Sequence, residues 1–273
     1  MRYFFIIFLF TLKLNACDCD VPIPILEFYN SEYVFEGVVA SKVYNEDYET
    51  YSIAFKVDKH YKEEHSPKVL RFTLKSEELY TDTLNSCDWS VNIGEKWLVY
   101  AYRDINKHLK FTYYCSNSKK LDQSIIDVNE RKVLENGNNF IMGDYIYESQ
   151  HGFTNPKPVT NIDSIIKTAI VKDYKKSFTI VKLHIDTKGT LQSVIGHQNY
   201  SAIKIDEVFN LPYAFKVIEE IPLSDFEKEA IKVAKEIKKW EIKYYKKTKT
   251  PVAYIKSIIF KYDATNKKWS YEL

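Results

Sequence analysis

Hydrophobic and polar positions alternate with a period of two over much of the first half of the chain. Residues 33–43, 51–60, 69–75, 96–103 and 108–115 each read as a strand. The runs Val69-Leu70-Arg71-Phe72-Thr73-Leu74 and Trp97-Leu98-Val99-Tyr100-Ala101-Tyr102 carry the β-branched and aromatic residues that suit a half-buried pleat. Turn signals such as Asn92-Ile93-Gly94 and Asp104-Ile105-Asn106 separate them. Five strands in so short a stretch predict a small closed all-β barrel. Leu121, Ile125 and Val128 then recur at helical spacing, which predicts a flanking helix over 119–134 that ends at Asn136-Gly137.

The period is lost from residue 135 to residue 158, where Asn136-Gly137-Asn138-Asn139, Gly143, Gly152 and Asn155-Pro156-Lys157-Pro158 are loop and turn signals. This stretch reads as a linker, 136–160, with room for a hairpin, between a domain over 17–135 and a second over 161–273. Residues 163–171 read as a short helix. Val181, Leu183 and Ile185 alternate with Lys182 and His184. Asp186-Thr187-Lys188-Gly189 supplies a turn, and 191–195 returns as a strand. Ser224-Asp225-Phe226-Glu227 is a capping box. After it Phe226, Ala230, Val233, Ile237 and Trp240 fall on one helix face, with lysines opposite. Pro251 opens a last strand over 252–262. Hairpin, helix and strand predict an α+β domain with the helix covering one face of a sheet.

Residues 1–16 change the picture of where the protein works. A charged start, the apolar run from Phe4 to Phe10 and a small residue, Ala16, form the layout of a secretory signal peptide, too short to span a bilayer. No later stretch reaches the length of a membrane helix, so none is expected after signal removal. The chain of 273 residues holds 39 Lys and Arg against 37 Asp and Glu; without Arg2 and Lys13 the balance is 37 against 37. That neutrality excludes nucleic-acid binding, which needs a concentrated cationic surplus. Only 7 Gly accompany 22 Tyr, and no phosphate-cradling or nucleophile-elbow motif occurs, so the composition points away from nucleotide chemistry and towards binding surfaces.

Four cysteines remain after cleavage: Cys17, Cys19, Cys87 and Cys115. An even number in an exported chain reads as two disulfides. Neighbours in Cys-x-Cys are poorly placed to close on each other, which leaves two crossed pairings. Either one bolts the N-terminal segment to two distant points, each long closure contributing on the order of 4 kcal/mol. Leu14-Asn15-Ala16-Cys17 also resembles a lipobox, so a lipoprotein anchored through a lipid on Cys17 is a further reading. The even count and the stiff Val21-Pro22-Ile23-Pro24 after Cys19 favour plain cleavage after Ala16.

Cys17-Asp18-Cys19 at a mature N-terminus, a short helix-like segment over 26–30, the strand Val34-Phe35-Glu36-Gly37-Val38-Val39, then Cys87 and Cys115 resemble the netrin-like domain of the tissue inhibitors of metalloproteinases. The resemblance covers residues 17 to about 134. It implies a five-stranded OB-fold barrel, with Cys17 bonded to Cys87 and Cys19 to Cys115. It also implies an alternative function, inhibition of a zinc metalloprotease. There Cys17 would chelate the protease zinc and Asp18, where the family has a small hydroxyl residue, would enter the specificity pocket. The second half resembles the C-terminal domain of the TonB family over about 178–262. The matching residues are Val181-Lys182-Leu183-His184-Ile185-Asp186-Thr187-Lys188-Gly189, Glu229-Ala230-Ile231 and Lys239-Trp240 on the helix, Thr250-Pro251-Val252 and Ile258-Ile259-Phe260. The connection over 199–222 is then an insertion. In that family the domain recognises extended peptides or receptor plugs by adding strands at a sheet edge.

No other group of residues forms a catalytic or metal motif. His60 and His65, five apart, diverge on a helix and do not match a zinc protease spacing. His108, His151, His184 and His197 are isolated. Asp225, Glu227 and Glu229 suit a helix N-terminus, and Lys228, Lys232, Lys235, Lys238 and Lys239 a solvated helix face. The expectation is therefore an exported, non-enzymatic protein-binding protein of a bacterial cell envelope, periplasmic, associated with the outer membrane or secreted. It needs no cofactor and no metal, and its partner is a protein or peptide.

Overall fold

The structure is a computed structural model and describes residues 19–62, 66–81, 87–196, 203–215 and 222–273. The molecule is mostly β and divides into two compact units, Met1–Asn138 and Asn139–Leu273.

The first unit opens with α1 (Pro24–Asn30), where Pro24 occupies the first helical turn and Ile25, Leu26 and Phe28 are buried. Its last carbonyls are held by a cation, as the Lys62 ammonium donates to Phe28 O at 3.0 Å and Tyr29 O at 2.9 Å. Then follow β1 (Tyr33–Tyr44), β2 (Thr50–His60), β3 (Val69–Lys75), α2 (Glu78–Thr81), β4 (Lys96–Arg103), β5 (Leu109–Lys110) and β6 (Lys119–Lys120). The strands run β3-β2-β1-β4-β5, with β6 also on β4. Register shifts at Glu36/Gly37 and Val39/Ser41 bend β1 between its two partners. Only glycine fits at the first, because a Cβ on Gly37 would lie 2.7 Å from Lys56 O. The curved sheet is barrel-like and nearly closed. Across the remaining seam the Lys110 ammonium donates to Thr73 O at 2.9 Å, and the Phe72 and Phe111 rings meet at 5.0 Å. Inside lie Phe35, Tyr51, Phe55, Phe72, Trp97 and Phe111.

Two expectations for this unit are corrected. The fifth strand keeps only Leu109–Lys110, because the chain then turns inward at Phe111 and takes a left-handed conformation at Cys115, φ 57°. The helix expected over 119–134 is shorter, α3 (Val128–Asn136), and Lys119–Lys120 is strand instead. Ile125 and Val128 are 91% and 73% exposed, so their helical spacing marks no buried face. The start is set by Asp127, whose carboxylate accepts from the Asn129 and Glu130 amides at 2.8 and 2.9 Å.

The second unit contains β7 (Ile146–Tyr147), α4 (Ile162–Ile166), β8 (Phe178–Ile185), β9 (Leu191–Gly196), β10 (Ile203–Ile205), β11 (Pro212–Phe215), α5 (Asp225–Lys235), β12 (Lys243–Tyr245), β13 (Thr250–Asp263) and β14 (Lys268–Glu272). The main sheet runs β12-β13-β8-β9, and β13 also takes β14 antiparallel and β7 parallel. α5 starts at the capping box, Ser224 accepting from the Glu227 amide. It packs Phe226, Ala230 and Val233 against Val181, Leu183, Ile185, Ile258 and Phe260.

The stretch read as a linker differs from expectation. Residues from Asn139 onward belong to the second unit, Tyr147 is fully buried, and Phe153 and Pro158 bridge to Tyr245 and Trp240. Its turn signals are real, but its aromatic residues are core. The helix also stops five residues before Trp240, so Lys239-Trp240 is not helical. Trp240 is instead tied back to the hairpin turn, its amide donating to Gly189 O at 2.8 Å. Within the expected insertion, β10 and β11 form a two-stranded sheet of their own. Among the described residues no helix is long and apolar enough to cross a membrane.

Candidate functional site

A groove of about 840 Å³ lies in the second unit, beside β14. One wall is α4 and the residues after it, Ile166, Lys167, Ala169 and Val171. The other is Lys267, Lys268, Trp269, Ser270 and Tyr271. Asn161 caps α4 by accepting from the Ser164 amide at 3.1 Å. Beyond the helix both backbone groups of Ile170 are fixed. Its amide donates to the Glu229 carboxylate at 3.0 Å and its carbonyl accepts from the Trp269 indole at 3.1 Å. Trp269 stacks on Phe226 at 4.6 Å, and Tyr174 meets it edge-on at 5.7 Å. The wall is thus set by long-range contacts before any ligand arrives, which lowers the ordering cost of binding.

Among the described residues no strand pairs with the outer edge of β14. β14 has β13 on one side, with Trp269 opposite Tyr262 and Tyr271 opposite Phe260. The Tyr262 amide donates to Ser177 O at 2.8 Å, so Tyr262 turns its backbone away from β14. In an antiparallel pair both backbone groups of a residue point the same way and alternate along the strand. Trp269 and Tyr271 therefore direct their N–H and C=O groups outward, along the groove. Burial raises the Tyr271 phenol above its ordinary range, and the hydrogen-bonded Asp163 carboxylate adds to the shift.

Elsewhere a cavity of about 250 Å³ sits at the barrel seam, lined by Leu74, Ser76, Asp88, Trp89 and Phe111 among others. Among the described residues the Ser76 hydroxyl and one Asp88 oxygen are buried there without a hydrogen-bond partner.

The residues singled out in the sequence do not converge on one place. Cys19 is bonded to Cys115, Cα to Cα 5.6 Å, across 96 positions. The adjoining turn is anchored by Glu27, which accepts from the Ser116 hydroxyl at 2.6 Å and the Asn117 amide at 2.7 Å. Cys87 is disulfide-bonded too, but its expected partner Cys17, with Asp18, lies outside the described residues. His65 and His197 also lie outside them. His60 contacts Pro67 O at 2.9 Å, His108 is 3.7 Å from Asp104, and burial lowers the pKa of His184. Among the described residues no three His, Cys, Asp or Glu are grouped to hold a metal ion. Asp225, Glu227 and Glu229 stand in the first turns of α5, and each also ties down the groove wall or the chain beyond it. Asp225 pairs with Lys172 at 2.7 Å, Glu227 with Lys176 at 2.8 Å, and Glu229 holds Ile170.

The groove was missed in the sequence because its second wall comes after the last expected strand. Asp263-Ala264-Thr265-Asn266-Lys267 followed by Trp269-Ser270-Tyr271 carries the turn and the alternation that mark a hairpin. No family model matches the chain, and no curated protein matches it.

Proposed function

We propose that the protein is an exported, non-catalytic protein-binding protein of a bacterial envelope, and that its second unit binds an extended segment of a partner along β14. The observation that carries this reading is the outward-facing backbone of Trp269 and Tyr271 above a preformed groove. A strand laid there gains backbone hydrogen bonds worth about 1 kcal/mol each, and its alternate side chains enter the groove. The hairpin, the helix on one face and the central β13 support a TonB-C-like domain. The barrel-like sheet in which β1 pairs with both β2 and β4, with Cys19 bonded to Cys115, supports a netrin-like OB barrel in the first unit.

Ten-residue peptides selected from a random library on the full chain test the reading. Their binding is expected to slow hydrogen exchange at the amides of Trp269 and Tyr271. Selected peptides that protect other amides and leave these two unchanged would sink it.

A further inference from the structure

The charged residues lining the groove beside β14 are three lysines and one carboxylate, so its net charge is positive. Lys167, Lys267 and Lys268 line it, all three are exposed, and none takes part in an ion pair among the described residues. Lysines next to it are neutralised within the unit, Lys172 by Asp225 at 2.7 Å and Lys176 by Glu227 at 2.8 Å. Among the described residues Asp163 is the one carboxylate in the lining, and it accepts from the Tyr271 hydroxyl. Between the lysines the lining is more apolar than polar, with Ile166, Val171 and the Tyr271 ring at the surface and the buried Ala169 and Trp269 beneath.

An occupant added to β14 has a period of two, one set of side chains facing the groove floor and the next facing its rim. The floor is apolar and aromatic. The rim is net cationic, three lysines without an ion pair among the described residues against Asp163. We infer that the groove selects an extended peptide segment in which apolar residues alternate with Asp or Glu, an inference that rests on the strand-addition reading above. Basic segments are rejected by like-charge repulsion, which makes the lysines a specificity device as well as a source of affinity.

Three synthetic ten-residue peptides separate the steps of the argument: Val alternating with Glu, with Ser and with Lys, each titrated into the full chain by calorimetry at 50 and 300 mM salt. The Glu peptide is expected to bind at least tenfold more tightly than the Ser peptide at 50 mM, with most of that margin lost at 300 mM, and the Lys peptide is expected not to bind. The double variant Lys267→Glu/Lys268→Glu should lose the margin and reverse the order. Lys167→Glu, on a different element, should lower it severalfold, and circular dichroism checks that each variant keeps its fold. Equal affinity for the Glu and Ser peptides would overturn the charge selection while leaving strand addition standing. A Glu peptide N-methylated at alternate amides that binds as well as the parent would overturn strand addition itself. Sedimentation of the protein alone is expected to show a monomer. A dimer abolished by the lysine variants would mean that a second copy covers this edge, which also overturns the proposal.

Discussion

Lys243 shows how one buried side chain makes the stability of the second unit depend on pH. It is 5% exposed, its ammonium donates to Glu148 O, and it lies 5.7 Å from the centres of the Phe153 and Tyr254 rings. Burial is the main cause that lowers its pKa to about 8, with nearby Lys256 adding to the fall and Glu148 opposing it. In the unfolded chain a lysine titrates near 10.4. Between these values the unfolded state holds the proton and the folded state does not, so stability rises with pH through that window. Urea midpoints are expected to increase from pH 7.5 to pH 9.5. In Lys243→Met the midpoint at pH 7.5 should be higher and the rise shallower. Part of it remains because burial also lowers Lys256. An unchanged slope in the variant would refute this account.

At the scale of elements, the turn between β8 and β9 links the hairpin to the end of the helical segment. Asp186 accepts from the Lys188 and Thr190 amides at 2.8 and 2.9 Å, which closes the turn by purely local chemistry. Gly189 then adopts φ 71°, and a Cβ there would stand 2.2 Å from Trp240 O. The glycine is required twice, for its conformation and for the approach of the chain that follows α5. Gly189→Ala is expected to cost about 3 kcal/mol, at the upper end for a strained left-handed position, because the backbone clash adds to the conformational strain. Chemical denaturation measures it. A loss under about 1 kcal/mol would show that the Trp240 segment moves aside easily. The groove wall depends on the same kind of long-range tie, since Glu229 of α5 and Trp269 of β14 hold the two backbone groups of Ile170.

At the scale of the whole molecule, every cysteine lies in the first unit, and the second has a core of its own around Val181, Leu183, Phe226 and Phe260. Reduction of the disulfides is therefore expected to destabilise residues 19–138 by about 2–5 kcal/mol and to leave amide protection in β8 and β13 unchanged, as segment-resolved hydrogen exchange would report. Loss of protection in both would contradict the division. The alternation that marks β1 to β4, β8 and β13, the Asp186 to Gly189 turn and the Ser224 capping box were legible in the sequence because each is set by residues a few positions apart. The barrel-like first sheet was legible from strand spacing, and the Cys19–Cys115 bond had been named by resemblance alone. The groove was not legible, nor was the place of residues 139–160 in the second core or the burial of Lys243. These depend on which distant segments meet: β7 with β13, Ile170 with Glu229 and Trp269, Lys243 with Glu148. Local backbone preference and the period of burial were enough to mark β1 to β4, β8, β13 and the start of α5, but not β7, β14 or the true extents of β5, α3 and α5. Which sheet edge stays open and which lysines lack an ion pair depended on tertiary contacts, because an edge and an unpaired charge are defined by the neighbours that fail to arrive.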